Sequence, residues 1–248
     1  MKADSKEVKQ ILITGVAGFI GYHLARLLLS KNFHVIGIDN LNSYYDISLK
    51  KNRLKILHKS PNFQFYKSDL VKKNDISFIF AKYNFSYVVH LSAQVGINFS
   101  LKEPQLYIDS NITGFLNVLE NCKSYDVKNL IYASSSSVYG NNKELPFLED
   151  HKTDRPVSVY GVSKKVNELL AHSYSSLYDL QTIGLRFFTV YGPWGRPDMA
   201  YYIFTKSIME NKMIDLFNNG HYRRSFTYID DIVRPIYRLI NNYFKYFR

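Results

Sequence analysis

The stretch Gln10-Ile11-Leu12-Ile13-Thr14-Gly15-Val16-Ala17-Gly18-Phe19-Ile20-Gly21 decides how this chain of 248 residues folds. Its first five residues form a short apolar run of strand character, and Gly15, Gly18 and Gly21 then make a tight turn. Beyond the turn, over Phe19–Ser30, the apolar residues Ile20, Leu24, Leu27 and Leu28 recur at helical spacing. A strand that turns on glycines into a helix lets backbone approach a pyrophosphate closely and aims helix N–H groups at anionic oxygens. Phe19 and Ile20 open that helix and count with the three glycines as candidate cofactor contacts. The spacing G-x-x-G-x-x-G differs from the G-x-G-x-x-G of ordinary dinucleotide turns, and such glycines also arise for packing reasons alone. Asp39 strengthens the ligand reading. It closes the next strand, His34–Ile38, where a carboxylate accepts hydrogen bonds from an adenosine ribose and repels a 2′-phosphate. The expected cofactor is therefore NAD rather than NADP.

Outward from this unit, strand and helix signals keep alternating. A polar, lysine-rich helix is expected over Ile47–His58, then a strand Phe63–Tyr66 ending at Asp69-Leu70, a helix Ile76–Lys82 and a strand Tyr87–His90. One long helix is expected over Pro104–Lys123, a strand over Asn129–Ala133, a helix from near Ser158 and a strand Gln181–Arg186. Strands joined by helical crossovers imply an α/β fold, a Rossmann-type doubly wound parallel sheet. Ligands bind beyond the carboxyl ends of such strands. The glycine turn, Asp39, Asp69, Ala93-Gln94 and the serine run Ser134–Ser137 all fall at such ends, which is stronger than any one motif.

Composition is that of an ordinary globular protein, with 46% hydrophobic and 21% charged residues. No apolar run is long enough to span a bilayer, and the polar N-terminus lacks a signal-peptide core. A single cysteine, Cys122, excludes an intrachain disulfide and suits a reducing cytoplasm. The net charge of +11 is spread along the chain without a nucleic-acid motif. Neither a nucleic acid nor a membrane is the expected partner, no metal site is expected, and the basic excess suits an anionic small substrate.

The chemistry concentrates in Tyr160-Gly161-Val162-Ser163-Lys164. Tyr160 and Lys164 lie one helical turn apart on one face. A free phenol titrates near ~10, and an adjacent ammonium stabilises its phenolate. Beside a dinucleotide turn, this pair suggests hydride transfer at an alcohol carbon, with Tyr160 moving the hydroxyl proton.

On these residues the chain resembles the extended short-chain dehydrogenases/reductases, the NAD-dependent nucleotide-sugar epimerases and dehydratases. The resemblance runs from Thr14–Gly21 through Asp39-Asn40, Asp69-Leu70, Val138-Tyr139-Gly140, Tyr160-x-x-x-Lys164 and Arg186–Pro193 to Phe226–Val233. It implies that Asp39, Asn40, Asp69 and Leu70 serve the adenosine half of the cofactor. Leu91, Ala93 and Asn111 would line the channel, Lys164 would hold the nicotinamide ribose, and Phe188 would lie near the nicotinamide. Ser135 matches the family's catalytic Ser/Thr, which relays the proton with Tyr160 and Lys164, although the spacing leaves Ser136 open as the matching position. A homodimer through the helices around Pro104–Lys123 and Ser158–Tyr178, in a four-helix interface, is also implied.

The same resemblance narrows the reaction. Dehydratases carry an Asp-Glu pair just before Val-Tyr-Gly, and the decarboxylases that act on UDP-glucuronate a glutamate. Here those places hold Ser136 and Ser137, so hydride return, and hence epimerisation, is expected. Thr189, Arg196 and the stretch His90–Gly96 are similar to the UDP-glucuronate 4-epimerases of capsule and cell-wall synthesis. Ser136, Ser137, Thr189 and Arg196 would hold a sugar carboxylate, and Arg224 the UDP phosphates. A UDP-glucose/UDP-galactose 4-epimerase, and an NAD-binding remnant without activity, stay open. Asn98 and Ser225 depart from the epimerase pattern, in place of arginine and aspartate. The expected organisation is a dinucleotide domain over 1–190 and an incomplete substrate domain over 191–248, interleaved with it. The aromatic, basic tail Asn241–Arg248 is expected to leave apolar surface exposed.

Overall fold

A computed structural model describes residues 9–221 and 223–242, so most of the tail Asn241–Arg248 lies outside the described residues. Six strands form the main sheet: β1 (Gln10–Thr14), β2 (His34–Asp39), β3 (Phe63–Lys67), β4 (Phe85–His90), β5 (Asn129–Ser135) and β6 (Gln181–Phe187). They lie in the order β3-β2-β1-β4-β5-β6, and each neighbouring pair is parallel. The order reverses between β1 and β4, and the crevice above that switch point is where a doubly wound sheet takes its ligand. β1 and β4 are almost wholly buried, as central parallel strands covered on both faces must be.

Helices α1 (Phe19–Ser30), α2 (Ile47–Leu57), α3 (Lys73–Lys82), α6 (Gly114–Ser124) and α7 (Val159–Tyr178) make the crossovers. Between α3 and α6 lie the short helices α4 (Ile97–Lys102) and α5 (Pro104–Tyr107). One core joins α1 to a face of the sheet through residues such as Leu24, Leu28, Ile11 and Ile13. The other face packs Phe80, Phe115, Val118 and Leu119 against Leu12, Ile36 and Val88. Past β6, a two-stranded parallel sheet pairs β7 (Thr189–Tyr191) with β8 (Phe226–Tyr228), with α8 (Ala200–Met209) between them in the chain. Helix α9 (Ile229–Asn242) presents Ile229, Val233, Ile236 and Ile240 at helical spacing to the core around α1. The segment after 190 is thus packed onto the first half of the chain.

Two expectations are corrected here. The single long helix over Pro104–Lys123 is interrupted by a π-helical turn at Ile108–Thr113; the apolar spacing is continuous, but one turn widens and rotates Asn111 inward, as π-bulges often do at functional sites. The sequence ends the fifth strand at Ala133, but Ser134 and Ser135 still pair with Arg186 and Phe187, and only Ser136–Tyr139 leaves β5 as a 3₁₀ turn.

Candidate active site

The glycine turn is shaped by its backbone. Gly15 sits at φ +73°, and a Cβ there would meet the Ser92 nitrogen at 2.8 Å and the Leu91 carbonyl carbon at 2.9 Å. A Cβ on Gly21 would meet the Gly15 carbonyl oxygen at 2.2 Å, so α1 starts directly against the turn. No side chain caps the N-terminus of α1, which leaves its first N–H groups available to an anion. Asp39 is buried at the end of β2 and receives the Ala17 N–H at 3.1 Å and the Leu41 N–H at 2.8 Å. Burial raises its pKa, opposed by the Lys50 ammonium 3.9 Å away. Asn40 donates to Asp69 at 2.9 Å, tying the ends of β2 and β3 together.

These residues open one cleft of about 1360 Å³. A pocket for one drug-sized ligand occupies roughly 300–1,000 Å³, so this cleft suits a dinucleotide together with a second ligand. It runs from Gly15, Gly18, Phe19, Ile20 and Gly21 past Asp39, Asn40, Asp69 and Leu70, along Leu91 and Ala93, to Ser135, Tyr160, Lys164 and Phe188. Ser136, Ser137, Thr189, Arg196 and Arg224 line its far end. Asn111 does not line it. It is fully buried behind the wall, where its carboxamide receives the Gln94 N–H at 2.7 Å and donates to the Gln94 carbonyl and the Ser163 hydroxyl at 3.0 Å each. Its place in the structure is that of a clamp on the 91–96 loop.

Helix α7 delivers the reactive pair. Ser158 caps it by accepting the Gly161 N–H at 3.0 Å, a start typical of a serine N-cap. Tyr160, Lys164 and Glu168 then follow at intervals of four along the face toward β5. Lys164 donates to the Ala133 carbonyl at 2.9 Å. Glu168 receives the Ser134 hydroxyl at 2.7 Å and Arg186 at 2.9 and 3.1 Å. These bonds fix the register of α7 on β5, and with it the approach of Tyr160 to Ser135. The Ser135 hydroxyl lies near enough to lower the Tyr160 pKa; its Oγ donates to the Ser137 Oγ at 3.2 Å and receives the Ser137 N–H at 3.1 Å. Of the two serines left open by spacing, Ser135 is the one whose hydroxyl bears on the Tyr160 pKa.

Burial raises the Tyr160 pKa, and the pulls in the other direction come from the Ser135 hydrogen bond and the Arg196 charge. The Lys164 ammonium lies 6.0 Å from the Tyr160 ring centre and donates to the Ala133 carbonyl. Burial lowers the Lys164 pKa to about 8, which keeps it mostly protonated at neutral pH. A prediction follows for Ser135→Ala. Removing a donor to the phenolate raises the Tyr160 pKa, so the rising limb of the kcat/KM–pH profile should move to higher pH. Ser136→Ala should leave the limb in place; the reverse pattern would give the role to Ser136.

Comparison with known proteins agrees with this geometry. Residues 11–246 match the family model described as the NAD dependent epimerase/dehydratase family. The chain belongs to that family. It is 53% identical over 231 residues to Protein CapI of Staphylococcus aureus, covering 93% of this chain and 69% of that protein. It is 49% identical over 223 residues to a UDP-glucuronate 4-epimerase of Thermodesulfobacterium geofontis, covering 90% and 69% of the two chains. Among solved structures, UDP-glucuronic acid 4-epimerase from Bacillus cereus, in complex with UDP-glucuronic acid and NAD, superposes with a TM-score of 0.88 at 37% identity. That match covers 94% of this chain and 73% of the other. Family membership makes the chain an NAD-dependent epimerase/dehydratase-type enzyme of Rossmann fold.

Several residues that build the site were not singled out from sequence. Lys50 and Arg53 are buried on the inner face of α2 beside Leu54 and Leu57. The spacing 50, 53, 54, 57 is that of an apolar stripe, and two cations placed on it were the available signal. Asp198 holds Arg196 through its Nε at 3.0 Å and its Nη2, and receives the Tyr44 hydroxyl at 3.2 Å. Among the described residues, no group of three or more His, Cys, Asp or Glu could hold a metal ion, and no helix is long and apolar enough to cross a membrane.

Proposed function

We propose that this enzyme inverts C4 of a UDP-sugar, converting UDP-glucuronate to UDP-galacturonate, with NAD as its resident cofactor. The observation that carries the reading is the convergence of Ser135, Tyr160 and Lys164 with Ser136, Ser137, Thr189 and Arg196 in one cleft, without a carboxylate on the serine turn. The uncapped start of α1, the Gly15 turn and the Asp39 carboxylate fit a dinucleotide. NAD, when bound, would accept hydride from the sugar carbon and return it to the other face once the ketone has turned over. The chain's own residues do the rest. Tyr160 takes the C4 hydroxyl proton, Ser135 bonds the reacting oxygen, and Lys164 holds the cofactor ribose. Thr189 and the serines offer hydroxyl donors to the sugar carboxylate. Asp198 engages two of the five guanidinium donors of Arg196, leaving others for an anion. The absence of an acid at 136 and 137 removes the proton donor that elimination of water requires.

The test is to offer the purified chain UDP-glucuronate and UDP-glucose separately and resolve the products by chromatography. UDP-galacturonate should accumulate; turnover of the neutral sugar alone would overturn the reading. NAD and UDP-sugar affinities measured apart distinguish both enzymes from an inactive remnant, which would bind only NAD. A charge-assisted hydrogen bond is worth about 1.5–3 kcal/mol, so Arg196→Met should lower kcat/KM for UDP-glucuronate roughly 10- to 100-fold. Equal losses on the acidic and neutral sugars would remove Arg196 from carboxylate recognition.

The product, an activated acidic sugar, suits transfer into a surface polysaccharide, and the lone buried thiol Cys122 suits the cytoplasm. The proposed assembly is a homodimer through α7. Val162, Leu169 and Leu177 are exposed on one face of that helix, opposite the Tyr160–Lys164 face, and an apolar stripe of that kind favours burial against a second copy.

A further inference from the structure

Arg53 is the largest fully buried side chain among the described residues, yet none of its hydrogen bonds goes to a carboxylate. Burying a guanidinium is costly unless its donors are satisfied. Here Nη1 and Nη2 are met by four oxygens from three separate segments, while the buried Nε has no partner among the described residues. Nη1 donates to the Ala17 carbonyl and the Tyr45 hydroxyl, at 2.8 Å each. Nη2 donates to the carbonyls of Trp194 and Gly195, the two residues immediately before Arg196. Ala17 lies inside the glycine turn, and its N–H is held by Asp39. One cation thus fastens the loop that carries Arg196 to the turn that would hold the dinucleotide. Neighbouring contacts reinforce the same join: His23 Nε2 lies 2.8 Å from the Pro193 carbonyl, and the Tyr22 ring packs 5.7 Å from the Trp194 ring.

We propose that Arg53 is a positioning residue that sets the reach of Arg196 into the substrate end of the cleft, coupling the dinucleotide turn to recognition of an acidic sugar. The mechanism needs no contact between Arg53 and substrate. If the Trp194 and Gly195 carbonyls lose their common donor, the loop relaxes and Arg196 loses its aim. A misplacement of about 1 Å can cost roughly 100-fold in a positioned interaction. This proposal rests on the acidic-sugar reading above, but its readout is separable from it.

Trp194 is the only tryptophan in the chain, so tryptophan fluorescence reports on this loop alone. In Arg53→Lys, acrylamide should quench Trp194 at least twofold more efficiently than in the wild type. The KM for UDP-glucuronate should rise about 10-fold or more, while kcat and the affinity for UDP alone change less than threefold. Tyr45→Phe keeps the buried cation and removes one of its acceptors, and should give an intermediate quenching constant. Unchanged Trp194 accessibility in a folded Arg53→Lys protein would overturn the proposal, as would kcat and KM losses that accompany a general fall in thermal stability without loop exposure. Should Arg53→Lys fail to fold, Tyr45→Phe decides, and wild-type quenching there overturns it. A wild type that turns over only neutral sugar would defeat the acidic-sugar reading instead, leaving the fluorescence result to judge the latch.

Discussion

Tyr160→Phe should lose about three orders of magnitude in kcat while keeping its cofactor, because it removes one oxygen and leaves nearly everything else in place. General acid–base catalysis by a positioned side chain contributes roughly 10²–10⁴-fold. The ring itself is retained, and with it the edge-on contact with Tyr107 at 6.2 Å. Lys164 keeps its bond to the Ala133 carbonyl, and Glu168 its bonds to Ser134 and Arg186, so α7 stays in register on β5. The expected result is therefore a folded protein with wild-type NAD affinity, UDP-sugar affinity within a few-fold, and almost no turnover. Stopped kinetics on UDP-glucuronate together with calorimetric NAD titration measure all three. A kcat within tenfold of the wild type would place the proton carrier elsewhere, and Ser135 would be the first to examine. A parallel loss of NAD affinity would mean that Tyr160 acts as a wall of the cofactor channel rather than as its chemical group.

The fold was legible because its signals are local and repeated. Gln10–Thr14 is buried on both faces and reads as an apolar run; Phe19–Ser30 has one apolar stripe; the two meet at glycines whose Cβ positions are physically occupied. Tyr160 and Lys164 were legible for the same reason, since four residues on a helix is a fixed geometry. What the sequence hides is long-range. That Lys164 reaches the Ala133 carbonyl, and that Ser135 and Arg196 lower the Tyr160 pKa, depends on where α7 docks on β5. That docking is set by Glu168 and Arg186, which lie 18 residues apart in the chain. Asn111 could be placed near the channel by resemblance, but only a π-turn turns its carboxamide onto Gln94. Arg53 was least legible of all, because its four acceptors are three backbone carbonyls and a phenol, and backbone carbonyls carry no residue identity.

Gly15→Ala should abolish the stabilisation that NAD gives the wild type, and this tests the glycine turn independently of any turnover. The methyl group has two costs. A non-glycine residue in the left-handed region is disfavoured by about 1–2 kcal/mol, and Gly15 sits at φ +73°. Overpacking adds roughly 1–3 kcal/mol, because the methyl would press on the backbone of Leu91 and Ser92 at 2.8–2.9 Å, where no flexible side chain can swing away. A fall of about 3 kcal/mol corresponds to roughly 6–12 °C in Tm for a chain of this size. The backbone shift that relieves the contact must move either the turn or the start of the 91–96 loop, and both line the cleft. NAD affinity should therefore drop by about 100-fold, the order of loss for a displacement near 1 Å. Thermal melts with and without NAD separate the two effects. At a concentration 100 times its Kd, a ligand stabilises the fold by about 2.7 kcal/mol; the wild type should show that rise, and Gly15→Ala at the same NAD concentration should show less than about 0.5 kcal/mol of it. A variant that melts lower yet gains the full increment would mean that Gly15 serves packing alone, and that the pyrophosphate lies elsewhere in the cleft.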